Sequence, residues 1–158
     1  VTETVKLTCV YSNSGRGLIY GVQDVIEQMK LAVVLNDVSE ASLDSVSDKI
    51  VVGARFEYRA LKINIPWNPY REGIATSQHI PTFKNLTFWD AYLDMMVENR
   101  FNVLSLWGLH PYPFMLELEK WPKACQFDTK TLAEWKLYWH GLFDRAHERA
   151  IDTFIIDW

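Results

Sequence analysis

The chain carries two hydrophobic periodicities, and together they define most of its predicted elements. Apolar residues recur every three or four positions over residues 18–31, 87–97 and 132–148, which is the spacing of a helix with one apolar face. Runs with the alternation or the length of strands cover residues 1–11, 55–65, 101–107 and 151–156. The pattern therefore predicts three amphipathic helices and four strands.

The starts of the two later helices carry capping signals. Thr87 with Asp90, and Thr131 with Glu134, have the spacing of a capping box. The first of these helices has a predicted apolar face at Phe88, Ala91, Tyr92, Met95 and Met96.

From residue 55 onward, the order strand, long loop, helix, short turn, strand occurs twice. Right-handed crossovers of this kind predict a parallel sheet. The loops after the strands, residues 66–86 and 108–130, are long and aromatic, whereas the turns before the strands are short. In a (β/α)₈ barrel, the loops after the strands build the active site. A doubly wound sheet follows a similar rule and is the structural alternative.

The predicted fold class is therefore α/β, with a domain boundary near Gly53. Residues 1–53 are interpreted as the C-terminal part of a small α/β accessory domain. Residues 54–158 are interpreted as the first three strands of an incomplete TIM barrel. Both ends of the chain fall within predicted strands, and we expect the remainder of the same polypeptide to complete the sheet.

Composition and charge narrow the classes of function. The net charge of −4 gives no electrostatic reason to expect nucleic-acid binding, because proteins that bind nucleic acid usually carry a basic face. No apolar run approaches the roughly 20 residues of a membrane span. Cys9 and Cys125 lack a metal-binding spacing, and no nucleotide, zinc or serine-hydrolase motif occurs. No metal and no cofactor are expected.

Aromatic residues make up 14% of the chain, and many fall in predicted loops. Ring faces stack on the C–H faces of sugars, so loop aromatics favour a carbohydrate site. The alternative is that large rings fill the core and the undersides of loops, and composition alone favours this alternative.

The candidate substrate-binding residues lie at the ends of the predicted strands or in the loops that follow. They are Asn64 in the first strand, Trp67 and Arg71 after it, Trp107 at the end of the second strand, His110 after it, and Asp157 and Trp158 after the third. The alternation of the first strand places Lys62 and Asn64 on one polar face, which would point into a barrel or else be the wet face of a half-exposed edge strand.

Each candidate has a chemical reason and a structural alternative. Trp107 offers a floor for a sugar ring, or else plugs the mouth of a barrel. His110 offers a bond to a hydroxyl or carboxylate, or else fixes its own loop. Arg71 would pair with the carboxylate of a uronic acid, or else is a surface charge. Asp157 would bond a sugar hydroxyl, or else caps the next turn.

Catalytic residues are not assigned within this chain. Hydrolysis of a glycoside usually needs two carboxylates that flank the scissile bond. Most acidic residues here lie on predicted helices at spacings of three and four, which is typical of solvated faces.

Three short motifs resemble known carbohydrate-active enzymes. They are Gly17, Tyr20, Gly21 and Gln23; Arg55, Phe56, Tyr58 and Arg59, with Ala60 where Gly is usual; and Phe101-Asn102-Val103-Leu104. Together they resemble the family 20 β-N-acetylhexosaminidases and the family 67 and 115 α-glucuronidases, which place a small α/β domain before a (β/α)₈ barrel.

This resemblance implies part of a glycoside hydrolase that acts on glycans or polysaccharides of β-hexosaminide or uronide type. It implies a carbohydrate substrate as the partner, catalytic carboxylates outside this segment, and a periplasmic or secreted location. The chain departs from the hexosaminidases in carrying Asn64, Pro66 and Trp67 where they carry Asp and Arg. A carbohydrate-binding protein on a barrel scaffold without catalysis is the alternative.

Overall fold

The computed structural model describes residues 7–36, 41–47, 52–65, 74–108, 112–125 and 127–156. These residues form a mixed α/β structure, which confirms the predicted class. The chain divides into two compact units, Val1–Glu57 and Tyr58–Trp158. The interpretation of the first unit as an accessory domain stays a prediction.

The first unit is built on helix α1, Gly15–Asn36, which is longer than the predicted helix over residues 18–31. The helix also includes residues 32–35, which continue it beyond the predicted end. A short 3₁₀ turn, Leu43–Ser45, follows it. It is tied to α1 because Gln28 Oε1 accepts a hydrogen bond of 2.9 Å from the Ser47 backbone N–H.

Residues 7–11 do not form the predicted strand; the rest of that prediction, residues 1–6, lies outside the described residues. Leu7 and Tyr11 are exposed, so the alternation of apolar residues here does not mark a buried face. The segment instead lies against α1 at a glycine. A Cβ on Gly21 would come within 2.5 Å of Val10 Cγ1, so the motif glycine permits this close approach.

The second unit contains a parallel three-stranded sheet. Its strands are β1, Ala60–Asn64; β2, Val103–Trp107; and β3, Asp152–Ile156, in the spatial order β1-β2-β3. The predicted parallel pairing is therefore correct, although β1 begins at residue 60 and not at residue 55. Three strands of this kind occur both in barrels and in doubly wound sheets.

Helices α3, Leu86–Glu98, and α4, Thr129–Glu148, pack against each other. On the central strand, Leu104 and Leu106 are completely buried. The two helices are joined at their surface by ion pairs, with Arg149 contacting both Asp90 and Asp94 and Arg145 contacting Asp90. The sequence pattern predicted solvated acidic faces. The Asp90 and Asp94 side chains are indeed 38% and 62% exposed, but they also join the two helices, which the pattern did not predict.

Two details predicted for α3 and α4 are wrong. The helices are capped by Asn85 and Asp128, whose side chains accept from the backbone N–H groups of Thr87 and Thr131. The buried face of α3 consists of Trp89, Leu93, Met96 and Val97. The predicted apolar face included Phe88 and Met96. Met96 is buried, but Phe88 is exposed, because the helix is rotated so that Trp89 enters the core.

Helix α2, Ile74–Phe83, was not predicted and lies within the long connection over residues 66–86. Its sequence is only weakly amphipathic and contains Pro81, so the helical periodicity is faint. Its last residue, Phe83, is buried and forms the centre of an aromatic cluster.

Several aromatic residues of the connections belong to this cluster. The Phe83 carbonyl accepts hydrogen bonds from Trp89 Nε1 at 2.6 Å and from the Tyr138 hydroxyl at 2.7 Å. In the connection after β2, the Phe114 carbonyl accepts from Trp139 Nε1 at 2.9 Å. These contacts hold the connections against the helices. The aromatic residues of this cluster therefore fill the core, as the structural alternative proposed.

Candidate functional site at the carboxyl edge of the sheet

Asn64 and Trp107 end neighbouring strands and are brought side by side. The Cα register pairs Asn64 with Trp107, and Trp107 with Ile156. Paired residues of parallel strands point to the same face of the sheet. These three residues therefore form one row, which we call the carboxyl row, at the edge where the loops after the strands begin.

The carboxyl row belongs to the sheet face opposite Leu104 and Leu106. The next row on this face consists of Lys62, Ser105 and Phe154. Residues of β1 and β3 on this face are exposed, while Ser105 on the central strand is buried. The Tyr58 and Phe154 rings contact each other with centroids 5.9 Å apart, from the two sides of β2. We call this surface the open face.

Lys62 extends along the open face toward Trp107. Its Nζ lies 4.7 Å from the centroid of the Trp107 ring, within the range of a cation–π contact. The alternation along β1 predicted that Lys62 and Asn64 share a face, and their register partners place them so. The contact of Lys62 with Trp107 was not predicted, because it depends on the direction of two side chains.

The backbone continues the sheet just beyond the carboxyl row. Ile65 N–H donates to the Trp107 carbonyl at 2.6 Å, and Gly108 N–H lies 3.4 Å from the Ile156 carbonyl. A Cβ on Gly108 would lie 3.2 Å from Ile65 Cβ, closer than side chains usually approach. Gly108 therefore allows the starts of the first two loops to lie close together.

The other predicted site residues, Trp67, Arg71, His110, Asp157 and Trp158, lie outside the described residues. Their roles stay predictions. Of the seven candidates, the structure therefore places Asn64 and Trp107, and it brings these two together.

The opposite, amino edge of the sheet has a structural character. Asn102 is buried, and its Oδ1 accepts a hydrogen bond of 2.7 Å from the Arg59 backbone N–H. Arg59 Nε donates to the Arg100 carbonyl at 2.6 Å. Two residues of the resemblance motifs, Arg59 and Asn102, therefore tie β1 to β2 and are not placed to contact substrate at the carboxyl edge.

The described residues were also considered as a metal site and as a membrane-spanning segment. Within them, no group of three or more His, Cys, Asp or Glu side chains is arranged to hold a metal ion. No helix in the same part of the chain is long and apolar enough to cross a membrane.

Comparison with known proteins finds similarity to a solved structure. No protein-family profile matches the chain, and no curated protein sequence matches it. A solved structure described as a GH138 enzyme targeting pectin rhamnogalacturonan II matches with a TM-score of 0.73 and 25% sequence identity. The similarity covers 89% of this chain and 16% of that enzyme, so the chain corresponds to a small part of its length.

The chain has a glycoside hydrolase-like fold. The expectation of a glycoside hydrolase is supported in this general sense. The matched enzyme belongs to family 138, so the similarity does not support the more specific resemblance to families 20, 67 and 115.

Proposed function

We propose that this chain is part of a glycoside hydrolase and supplies substrate-contacting loops at the carboxyl edge of the sheet. The observation that carries the proposal is the structural similarity to a carbohydrate-active enzyme over 89% of the chain. The carboxyl row adds local support, because it presents an indole ring beside the amide of Asn64 where the loops begin.

In this proposal, β1 to β3 are the first strands of a (β/α)₈ barrel, and the open face lines its lumen. A polar side chain inside a barrel is costly unless it is paired or binds a ligand. Asn64 on this face fits a site that binds a polar substrate. Trp107 gives a sugar ring an apolar surface, and the amide of Asn64 offers a donor and an acceptor to hydroxyl groups.

The proposed substrate is a glycan or polysaccharide with a β-hexosaminide or uronide linkage. The carboxylates that cleave the bond would come from outside this segment, as the resemblance to the hexosaminidases implies. The carboxyl row of Asn64, Trp107 and Ile156 would contact the sugar. Activity, substrate and carbohydrate partner are properties of the whole protein, of which this chain would provide one wall of the site.

The test is a panel of aryl glycosides and aryl uronides incubated with the full-length protein. We expect release of the aryl group from at least one of the hexosaminides or uronides. If none is cleaved but glycan arrays still show binding, the protein is a carbohydrate-binding protein on the same scaffold. If neither cleavage nor binding occurs, the carbohydrate function is wrong.

Truncation of Trp107 tests the local assignment. Trp107→Ala should weaken substrate binding by roughly five- to tenfold, the loss typical of a contact worth more than 1 kcal/mol. Trp107→Phe, which keeps an aromatic face, should retain most of the affinity. The measurements are KM and Tm of the full-length variants; a loss of binding that merely follows a loss of folded protein would contradict a direct sugar contact.

A further inference from the structure

Lys62 covers one face of the Trp107 ring. Its Cα is paired with Ser105, so its side chain reaches diagonally toward the carboxyl edge to place Nζ 4.7 Å from the ring centroid. Such diagonal neighbours on one face of a sheet are within reach of long side chains. The lysine side chain is exposed, while Trp107 is half-buried.

The contact is chemically specific. The negative face of an indole attracts an ammonium group, and tryptophan is the strongest partner among the aromatic side chains. Among the described residues, Lys62 makes no ion pair with a carboxylate. Within this part of the chain, its ammonium group therefore interacts with the Trp107 ring. An aliphatic or neutral polar side chain in this position would lack the attraction.

We propose that Lys62 is a positioning residue, which holds the Trp107 indole in place for its contact with a sugar. The inference rests on the proposed function, in which Trp107 contacts the substrate. It goes further by assigning a role to Lys62.

The holding of the ring is testable without any substrate. The full-length protein is labelled with 5-fluorotryptophan, and the Trp107→Phe variant assigns the fluorine NMR signal of Trp107. Lys62→Met keeps the apolar stem but removes the charge, and it should shift or broaden the Trp107 signal. Lys62→Arg keeps a cation over the ring and should restore a signal close to that of the native protein.

A second lysine provides a matched control. Lys84 Nζ lies 4.4 Å from the centroid of the Trp135 ring, in the aromatic cluster away from the carboxyl row. Lys84→Met removes the same kind of contact. It should change the Trp135 signal and leave the Trp107 signal and substrate affinity as they are.

The effect on substrate is measured with the aryl glycoside that the panel identifies. Lys62→Met should raise KM by roughly two- to fivefold, the range expected for one exposed cation–π contact, with kcat nearly unchanged. Lys62→Arg should recover most of the affinity. In the Trp107→Leu background, which has no aromatic ring for a lysine to position, Lys62→Met should have a much smaller effect on KM.

Each outcome decides between the hypotheses. An unchanged Trp107 signal in Lys62→Met would overturn the proposal. A KM penalty that persists in full in the Trp107→Leu background would also overturn it, because Lys62 would then act on the substrate directly. If no glycoside is cleaved or bound, the proposed function falls, while the fluorine signal still shows whether Lys62 holds the ring.

Discussion

At the scale of single residues, the clearest electrostatic consequence of burial is found at Tyr138. Its hydroxyl donates to the Phe83 carbonyl within the aromatic cluster, and the residue is 6% exposed. Burial disfavours the phenolate and raises the pKa of Tyr138 well above its ordinary value of 10.0. The folded state therefore keeps this proton at a pH where the unfolded chain releases it.

This difference predicts a loss of stability at alkaline pH. Above about pH 10 the unfolded state binds fewer protons than the folded state, so the free energy of unfolding should fall by up to about 1.4 kcal/mol per pH unit. Below that pH the stabilisation that comes from the raised pKa of Tyr138 is fully present. Urea unfolding of the native chain at pH 8, 10 and 11 measures this change in the free energy of unfolding.

Tyr138→Phe isolates the contribution of this hydroxyl. The variant should be less stable at pH 8 by about 1 kcal/mol, because it loses one buried hydrogen bond. Its stability should then fall less steeply between pH 10 and 11 than that of the native chain. Tyr112→Phe, at an exposed tyrosine, is the control and should keep the native slope; equal slopes for all three proteins would refute the prediction.

The sugar-site candidates show how far residues can be predicted from sequence. Trp107 was found because it ends an apolar run, and Asn64 because it alternates with the apolar residues of its strand; the parallel register then places them together. The contact between Lys62 and Trp107, and the close approach of Gly108 to Ile65, depend on side-chain direction and on the spacing between strands. Neither property is encoded in a local pattern.

At the scale of elements, the strongly periodic segments were predicted well. The parallel strands β1, β2 and β3 and the helices α3 and α4 all occur where the pattern placed them, within a few residues. The errors arose where local signals compete. Helix α2 was missed because its sequence is only weakly amphipathic and contains Pro81, which is typical of a loop. The strand over residues 7–11 was predicted from an alternation of apolar residues that does not lead to strand pairing.

The ends of α3 and α4 show a further limit of prediction. Two positions beyond the last residue of each helix lies a residue with positive φ that is not glycine, Arg100 at 62° and Ala150 at 54°. In both, the following residue donates back to a helix carbonyl, Phe101 to Met96 and Ile151 to Ala146. This is the Schellman arrangement, which normally signals itself by glycine. Because neither helix has glycine at this position, the sequence lacks the usual marker of the helix end.

The corrected start of α3 makes a direct prediction. Because Asn85 Oδ1 accepts from the Thr87 N–H at 2.9 Å, Asn85→Ala should reduce the free energy of unfolding by about 1 kcal/mol. Thr87→Ala should change it by less than about 0.5 kcal/mol, as is usual for exposed positions. Chemical denaturation of both variants is the measurement. A larger effect at Thr87 would restore the cap first predicted from the sequence.

At the scale of the whole molecule, the open face poses the main structural question. Phe154 is 45% exposed, and Tyr58 and Ile156 on the same side of the sheet are also exposed. Apolar residues grouped on one face of a sheet usually mark a surface that another part of the protein covers. In the proposed barrel, the remaining strands would close around this face and convert it into the packed lumen.

A pair of truncations in the full-length protein tests this closure. If the barrel buries Phe154, Phe154→Ala should destabilise the protein by about 3–5 kcal/mol, the usual cost of removing a buried phenylalanine side chain. Leu137, 74% exposed on α4, is the control, and Leu137→Ala should change stability by less than about 0.5 kcal/mol. Chemical denaturation followed by circular dichroism measures both. A near-neutral Phe154→Ala would mean that the face stays open to solvent, and a closed barrel would then be excluded.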